Sequence, residues 1–285
     1  MGGTEEELAN AQREIAMLRE ELAETNQGVL ALYAELDDKA EELRQVSDLK
    51  SRFLSYMSHE FRTPLVSIQS MARLLLERFD GPLSEEQERQ VAFIQSCSAE
   101  MSGMVDDLLD LAKVEAGRIT ISPDWFELID LFAALRGMFK PIATSAAVEV
   151  VFEEPDGVPA LFSDNQKVAQ ILRNFISNAL KFTEVGTITI SARSEPDNHV
   201  RLSVADTGPG IAEHDLPNLF VEFSQVRSLR TPAWRGTGLG LSVCKRFAEL
   251  LGGRVEVESR LGEGSVFSVV LPVKGPVEEL AEPAE

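Results

Sequence analysis

The first feature of the chain is a heptad pattern over residues 5–50, a stretch dense in Glu, Leu, Ala and Arg that contains no proline. One series of positions recurs every seven residues: Leu8, Ile15, Leu22, Val29, Leu36 and Leu43. A second series follows three residues later: Ala11, Leu18, Thr25, Leu32, Lys39, Val46 and Phe53. This a/d seam predicts a coiled coil, although Thr25, Lys39 and Lys50 are poor seam residues. A solvated single helix is the alternative.

A second long helix is predicted after the segment RFDGPLSEE, where Gly81 and Pro82 end the first helix and Ser84 opens the next. It covers residues 85–116 and ends at Gly117. Its apolar stripe consists of Val91, Ile94, Met101, Val105, Leu108 and Leu111. Two long helices with a short loop predict a helical hairpin, and two paired hairpins form a four-helix bundle.

The hydrophobic period changes from about residue 119 onward. Five segments alternate as strands do: VEVVFEE, TITISAR, HVRLSVA, RVEVESR and SVFSVVL. Helical patterns cover residues 126–143, 163–182 and 239–251. Because the strands and helices do not alternate regularly, we predict an α+β sandwich with helices on one face of the sheet. The predicted boundaries are 1–48, 49–118 and 119–275, followed by an acidic disordered tail at 276–285.

Composition and charge exclude several classes of protein. The formal net charge of −20 over 285 residues argues against nucleic-acid or anionic-membrane partners. We expect no membrane segment in this chain, since no apolar run approaches the roughly 18 to 20 residues that span a bilayer. Two cysteines, Cys97 and Cys244, form neither a disulfide framework nor a metal cluster, and we expect a cytoplasmic location.

Candidate chemistry begins in the segment FLSYMSHEFRTPL. Met57 is a seam position, so His59 points away from the seam and its imidazole is expected to be exposed. Glu60 can accept the Nδ1 proton, which leaves the Nε2 lone pair outward. Thr63 lies one turn further along the same side. Pro64 lacks the N–H of a regular helix and predicts a kink.

The alternative interpretation of His59 is an ordinary surface histidine near a kink. We expect that plain role for His199 and His214. His59 differs from them because the C-terminal half of the chain supplies chemistry that matches it.

A first ligand-binding pattern lies in QILRNFISNALKFT, where Asn174 and Asn178 are four residues apart in a helix and Lys181 follows on the same side. Asparagine is a poor residue for a helix interior. Amide oxygens and a lysine suit a group of Mg²⁺ and phosphates, so they are candidate ligands. An amphipathic helix with solvated amides is the alternative.

A second pattern, ADTGPGI, follows an alternating strand. Asp206 at the strand end can accept a hydrogen bond from an exocyclic amine such as adenine N6. Gly208 and Gly210 allow close approach of the backbone to a ligand. A plain turn is the alternative.

A third pattern, RGTGLGLSVCKRF, places Gly236, Gly238 and Gly240 before an apolar helix, where backbone N–H groups bind phosphate. The spacing is neither the dinucleotide fingerprint nor a Walker loop. Before it lies a loop that carries three arginines: Arg227, Arg230 and Arg235. In so acidic a chain they indicate a phosphate-facing flap, with a solvated loop as the alternative.

Together these segments resemble the transmitter region of bacterial two-component sensor histidine kinases. SHEFRTPL resembles the H box of that family, NFISNALKFT the N box, DTGPGI the G1 box, LFVEFSQV the F box and GTGLGL the G2 box. All five occur in family order, over residues 49–274.

The resemblance implies a fold and an activity. The fold is a coiled-coil signalling helix, a dimerisation and histidine-phosphotransfer domain and an ATP-binding sandwich of the gyrase and histidine-kinase ATPase superfamily. The activity is ATP-dependent autophosphorylation, phosphotransfer to an aspartate of a response regulator receiver domain, and possible dephosphorylation of that regulator. The implied partners are a second copy of the chain, the receiver domain and a missing or separate sensor module.

The resemblance also implies residue roles. His59 is the phospho-acceptor, Glu60 its base and Thr63 the residue that positions water in dephosphorylation. Asn178 is a Mg²⁺ ligand, with Asn174 a second possible ligand. The remaining nucleotide-binding residues are Lys181, Asp206, Gly208, Gly210, Arg235, Gly236, Thr237, Gly238, Leu239 and Gly240.

Two other functions fit parts of the sequence. An ATPase of the same superfamily would have the nucleotide motifs but no need for SHEFRTP on a bundle. A silent coiled-coil scaffold would not need the asparagines and aspartate of those motifs. Label transfer from γ-labelled ATP distinguishes the first alternative, and ATP binding distinguishes the second.

Overall fold

The computed structural model describes residues 2–79, 81–117, 119–140, 147–224 and 238–276. It divides into two compact units, Met1–Tyr56 and Met57–Glu285. The arginine loop that contains Arg227, Arg230 and Arg235 lies outside the described residues, as does the predicted tail at 276–285 apart from its first residue. The four-part domain division stays a prediction.

Two long helices form the N-terminal half. The first, α1, covers Gly2–Leu76 and includes Pro64, so the kink expected there does not end the helix. The second, α2, covers Glu85–Glu115. The Ser84 hydroxyl accepts the Gln87 N–H, and the Gln87 side chain accepts the Ser84 N–H, so a capping box fixes the start of α2. None of the described helices is both long enough and apolar enough to cross a membrane.

Within the second unit, α1 and α2 are joined by apolar and polar contacts. Leu65 and Ala72 of α1 are buried. The Gln69 amide donates to the Ser102 hydroxyl at 3.1 Å. Arg62 pairs with Asp106. The two helices therefore form the predicted hairpin.

Many apolar positions of α1 and α2 stay exposed in the single chain. In the first unit they include seam residues of the heptad pattern: Leu18, Leu22, Val29, Leu32, Leu36, Leu43, Val46 and Phe53. On α2, Ile94 and Met101 of the predicted stripe are exposed, whereas Leu111 is buried in the core of the C-terminal domain.

The C-terminal domain is built on a five-stranded mixed sheet in the order β2-β4-β5-β7-β6. Its strands are β2 (Val148–Phe152), β4 (Gly186–Glu195), β5 (His199–Asp206), β6 (Arg254–Arg260) and β7 (Gly264–Pro272). All five alternating segments are therefore confirmed as strands. β2 pairs with β4 in parallel, and the other pairs are antiparallel.

Strand pairing aligns the apolar side chains on one face of this sheet. Ile190 lies opposite Val204, and Val204 lies opposite Phe267. All three residues are buried. The other face is polar, where the Ser203 hydroxyl lies 2.9 Å from that of Ser268.

Three helices contribute to the core on the apolar face: α3 (Leu128–Phe139), α4 (Asn165–Phe182) and α5 (Gly240–Leu250). Phe132, Phe175 and Phe247, one from each helix, are fully buried. The prediction of a sandwich with helices on one sheet face is thus confirmed.

A small second sheet corrects two predicted helix starts. β1 (Asp124–Phe126) pairs with β3 (Leu161–Ser163), so Phe126 and Ser163 lie in strands and not in helices. Asp164 caps α4, because its carboxylate accepts the N–H of Lys167. The predicted third helix ends earlier as well, at Phe139, and residues 141–146 lie outside the described residues.

Candidate active site

His59 lies on the surface of α1, and 78% of its side chain is exposed. Its Nδ1 is 3.9 Å from Oε1 of Glu60. That distance is too long for a hydrogen bond but close enough for an electrostatic interaction. The predicted hydrogen bond from Nδ1 to Glu60 is therefore not formed in this structure, although the carboxylate lies on the Nδ1 side of the ring.

Two hydroxyl groups flank the helical turn that Pro64 leaves without a hydrogen bond. Thr63 Oγ1 donates to the carbonyl oxygen of His59 at 3.2 Å, and Ser67 Oγ donates to that of Thr63 at 3.1 Å. A bond of this kind, from a Ser or Thr hydroxyl to the carbonyl one turn earlier, slightly bends a helix. Neither hydroxyl bonds the carbonyl of Glu60, which is the carbonyl that the missing N–H of Pro64 would bond.

Asn174 and Asn178 form a pair on α4. The Asn178 Nδ2 donates to Oδ1 of Asn174 at 3.1 Å, and both residues are half-buried. The bond uses the nitrogen of the Asn178 amide, so its Oδ1 remains for another partner. An amide oxygen held in this way is a suitable ligand for a hard cation such as Mg²⁺.

Gly240, the first residue of α5, faces this pair. A Cβ on Gly240 would lie 2.2 Å from Nδ2 of Asn174. Only glycine therefore lets the start of α5 approach the asparagines so closely. The free N–H groups at the N-terminus of α5 thus lie beside the amide pair, an arrangement that suits phosphate.

Gly238 has a positive φ of 70°, and a Cβ there would lie 2.6 Å from the carbonyl oxygen of Ser224. Phe223 also has a positive φ, of 59°, and its N–H donates to the carbonyl oxygen of Gly238 at 3.0 Å. This contact joins the F-box segment to the G2-box segment. Arg235, Gly236 and Thr237 lie outside the described residues.

Asp206 lies at the end of β5, at the opposite end of the candidate site. Its Oδ1 accepts the N–H of Gly208 at 2.9 Å, and the backbone N–H of Ser265 also favours the charged carboxylate. Burial raises the pKa of Asp206, and these two N–H groups offset part of that rise. A Cβ on Gly210 would lie 2.1 Å from the carbonyl oxygen of Arg260, so Gly210 packs closely against β6.

The turn between β6 and β7 contributes residues that the sequence motifs did not indicate. A Cβ on Gly264 would lie 2.0 Å from the carbonyl oxygen of Asp206. The Ser259 hydroxyl lies 2.9 Å from that of Ser265 and accepts the N–H of Ile211 at 2.8 Å. The segment RLGEGS, a second glycine-containing turn, was the available signal. This turn borders a cavity of about 360 Å³ that Asp206 also lines.

Lys181 lies beside the Phe182 ring and in the electrostatic field of α2. Its Nζ lies 5.6 Å from the centre of the Phe182 ring. Burial lowers the pKa of Lys181, and the Glu100 carboxylate on α2 opposes that change. The structure thus places Lys181 toward α2, and its predicted part in phosphate binding stays a prediction.

The other two histidines have ordinary surroundings. His199 Nδ1 lies 2.8 Å from the carbonyl oxygen of Asp197. His214 is highly exposed and lies 3.5 Å from the Asp215 carboxylate. These contacts fit the plain surface role expected for both.

The C-terminal end of α4 connects the two halves of the site. Asn174 and Asn178 face Gly240, while the residues after them, Phe182 and Thr183, lie beside Gly208. The arrangement offers an acceptor for an amine at one end and oxygen and N–H groups for a metal–phosphate group at the other. The described residues therefore fit a nucleotide with its metal. His59, Glu60 and Thr63 form a separate group on α1.

Two family models match this chain. The model of the His Kinase A (phospho-acceptor) domain matches residues 49–117, and that of the histidine kinase-, DNA gyrase B- and HSP90-like ATPase matches residues 163–275. The first contains His59, and the second contains Asn178, Asp206 and Gly240. The chain carries the transmitter region of a two-component sensor histidine kinase.

Several sensor histidine kinases resemble the chain in sequence. The autoinducer 2 sensor kinase/phosphatase LuxQ of Vibrio parahaemolyticus is 35% identical over 239 residues, which are 82% of this chain and 28% of LuxQ. The histidine protein kinase DivJ of Caulobacter vibrioides is 36% identical over 225 residues, 79% of this chain and 37% of DivJ. The chain thus spans about a third of the length of these two relatives.

Solved structures of histidine kinases share the fold. Full-length ShkA in complex with AMPPNP matches with a TM-score of 0.64 at 32% identity, over 78% of this chain and 46% of ShkA. The histidine kinase AdeS of Acinetobacter baumannii matches with a TM-score of 0.52 at 22% identity, over 75% of this chain and 98% of that one. The second likeness concerns the fold alone.

Proposed function

We propose that this chain transfers the γ-phosphoryl group of ATP to Nε2 of His59 and then to an aspartate of a response regulator. The observation that carries the proposal is the exposed His59 imidazole beside the Glu60 carboxylate, on a helix of the phospho-acceptor domain. The candidate nucleotide site around Asn174, Asn178 and Gly240 supports the proposal.

The chemistry follows from the neutral imidazole. Nε2 attacks the γ-phosphorus in line, the bond from that phosphorus to the β,γ-bridging oxygen breaks, and ADP leaves. The proton on Nδ1 is stabilised by Glu60, whose approach from 3.9 Å to hydrogen-bond distance orients the ring. In the second step the receiver aspartate attacks the same phosphorus and His59 returns to its neutral form.

Nucleotide binding divides between the two ends of the site. Asp206 accepts a hydrogen bond from the exocyclic amine of adenine. The N-terminus of α5, together with Gly238 and Leu239, binds the phosphates. Asn178 would hold Mg²⁺ through Oδ1, and Asn174, which accepts the Asn178 Nδ2–H, would orient that amide. When bound, Mg²⁺ neutralises charge on the phosphates. The arginine loop, Gly236 and Thr237 are expected to cover them.

The partners follow from surfaces and from the family. Seam residues of α1 such as Leu36 and Leu43 are 63% and 70% exposed in the single chain, so a second copy of the chain is the partner that buries them. The other partners are a receiver domain and a sensor module on a longer protein or a separate one. The cytoplasmic location remains a prediction from the two free cysteines.

Dephosphorylation of the regulator is a second proposed activity. Thr63 carries a hydroxyl one turn from His59, and the relative LuxQ is named a sensor kinase/phosphatase. We propose that this hydroxyl, released from the His59 carbonyl, positions the attacking water.

The proposal is tested by incubating the chain with Mg²⁺ and γ-labelled ATP, then adding a panel of receiver domains. We expect label bound to the protein that is stable in base and labile in acid, followed by its transfer to a subset of receivers. Release of inorganic phosphate without labelled protein would indicate the ATPase alternative.

A further inference from the structure

Thr183 is the last residue of the segment NFISNALKFT and has a buried hydroxyl group to which the sequence analysis assigns no role. The residue ends α4, is 3% exposed, and donates its backbone N–H to the carbonyl oxygen of Ala179 at 2.9 Å. Its Oγ1 is inaccessible and has no hydrogen-bond partner among the described residues. A buried hydroxyl without a partner destabilises a fold, so a use for it in another state is expected.

The hydroxyl lies against the loop that carries Asp206. The position that a Cβ would take on Gly208 is 2.8 Å from Oδ1 of Asp206, 3.2 Å from Oγ1 of Thr183 and 3.2 Å from the carbonyl oxygen of Phe182. Three oxygens therefore converge on the side of Gly208 that glycine leaves open. Of these, only the Thr183 hydroxyl is able to donate a hydrogen bond.

Asp206 needs donors of this kind to act as an acceptor. It is partly buried, and the N–H groups of Gly208 and Ser265 compensate only in part for its burial. A base that covers Asp206 removes still more water from the carboxylate. The charged side chains on the same cavity are Glu258, Arg260 and Glu263, and the last two pair with each other at 2.9 Å.

We propose that Thr183 is a positioning residue for base recognition, whose hydroxyl donates to the Asp206 carboxylate when a purine nucleotide is bound. The bond holds the carboxylate ionised and oriented toward the exocyclic amine of adenine. This inference rests on the proposed function, because it assumes that ATP occupies the site.

The test uses three variants of the full chain and two nucleotides. Thr183→Val removes the hydroxyl and keeps the shape, while Thr183→Ser keeps a hydroxyl. Ser163→Ala is the matched control, because the Ser163 hydroxyl is likewise buried without a partner but belongs to β3. Calorimetry measures the Kd of Mg-ATP and of Mg-ITP, which lacks the exocyclic amine, and thermal unfolding is measured without nucleotide.

For Thr183→Val we expect roughly tenfold weaker ATP binding, since a hydrogen bond to a charged group is lost. ITP binding should change less than about twofold by the same reasoning, because ITP lacks the exocyclic amine toward which Thr183 is proposed to orient Asp206. Thr183→Ser and Ser163→Ala should bind ATP like the parent chain. The melting temperature of Thr183→Val should not fall. Should that variant not fold, Thr183→Ala compared with Thr183→Ser gives the same contrast.

Unchanged ATP binding in Thr183→Val, or an equal loss for ATP and ITP, would overturn the role of Thr183. A parent chain that binds neither nucleotide would instead contradict the proposed function. The two failures are therefore distinguishable.

Discussion

Gly240 approaches Asn174 so closely that a Cβ on the glycine would lie 2.2 Å from Nδ2 of the asparagine. This contact joins the start of α5 to the amide pair of α4. A side chain there must displace either Asn174 or the helix start. The G2 box and the N box are thus dependent on each other through this one contact.

The first prediction follows from that contact. Gly240→Ala should weaken ATP binding at least about tenfold, because the new methyl group displaces the Asn174 amide. Gly137→Ala is the matched control, since a Cβ at this helical glycine of α3 meets nothing within 4 Å. The control should bind ATP normally and be more stable by about 0.5–1 kcal/mol. Equal ATP affinity in the two variants would contradict the importance of the contact.

A second prediction concerns the metal. Asn178→Ala removes the amide whose Oδ1 is proposed to hold Mg²⁺, so autophosphorylation should be lost while the dimer persists. Asn218→Ala, at an exposed position of the short helix Leu216–Asn218, should retain activity. The measurement is the rate of label incorporation across a Mg²⁺ titration. Normal activity at low Mg²⁺ in Asn178→Ala would mean that another residue holds the metal.

Thr63 should affect dephosphorylation of the regulator more than autophosphorylation. Thr63→Ala removes the hydroxyl proposed to position water but leaves His59 and Glu60 in place. Ser67→Ala is the control for an effect of the hydroxyl on the helix itself, since Ser67 makes the same type of bond to a carbonyl one turn back. We expect only Thr63→Ala to lose most of the dephosphorylation rate. An equal loss in both variants would assign the effect to the helix.

The pH dependence of stability should show a contribution from Asp107 on α2. Burial, and then the charges of Asp110 and Asp106, raise the pKa of Asp107 from 3.8 to about 6. The folded state therefore binds this proton more tightly than the unfolded state, and the stabilisation present below pH 4 is lost as the pH rises through 6. The amount is on the order of 2 kcal/mol after allowance for partial solvent screening.

Asp107→Asn should remove this loss. In urea unfolding, the variant should have a higher free energy of unfolding than the parent chain, and the difference should be larger at pH 7.5 than at pH 5. Asp156→Asn, which changes an exposed carboxylate in a turn, should leave the pH dependence as it is in the parent chain. An unaltered pH dependence in Asp107→Asn would locate the titration elsewhere.

The sequence alone predicts those helices and strands that depend on a local pattern of residues. Alternation identified all five strands of the main sheet, and Ser84 identified the start of α2 through its capping box. The short strands β1 and β3 were missed because three residues are too few for a period to appear. The kink expected at Pro64 stays a prediction, because α1 includes Pro64 and a helix can bend at a proline without ending there.

The sequence also predicts some residues of the candidate site and not others. Asn174, Asn178, Asp206 and Gly240 could be identified because their residue types are unusual at their positions. Ser265 lies outside the motifs, and Thr183 ends the segment NFISNALKFT without an assigned role. Neither could be placed beside Asp206, because that proximity arises only from tertiary folding.

The most direct test of the account is the location of the phosphoryl group. The parent chain, His59→Gln and a His199→Gln/His214→Gln double variant are incubated with Mg-ATP and examined by phosphorus NMR and peptide mapping under basic conditions. We expect one phosphohistidine at His59, present in the double variant and absent in His59→Gln, which should still bind ATP. A phosphohistidine that persists in His59→Gln would contradict the account.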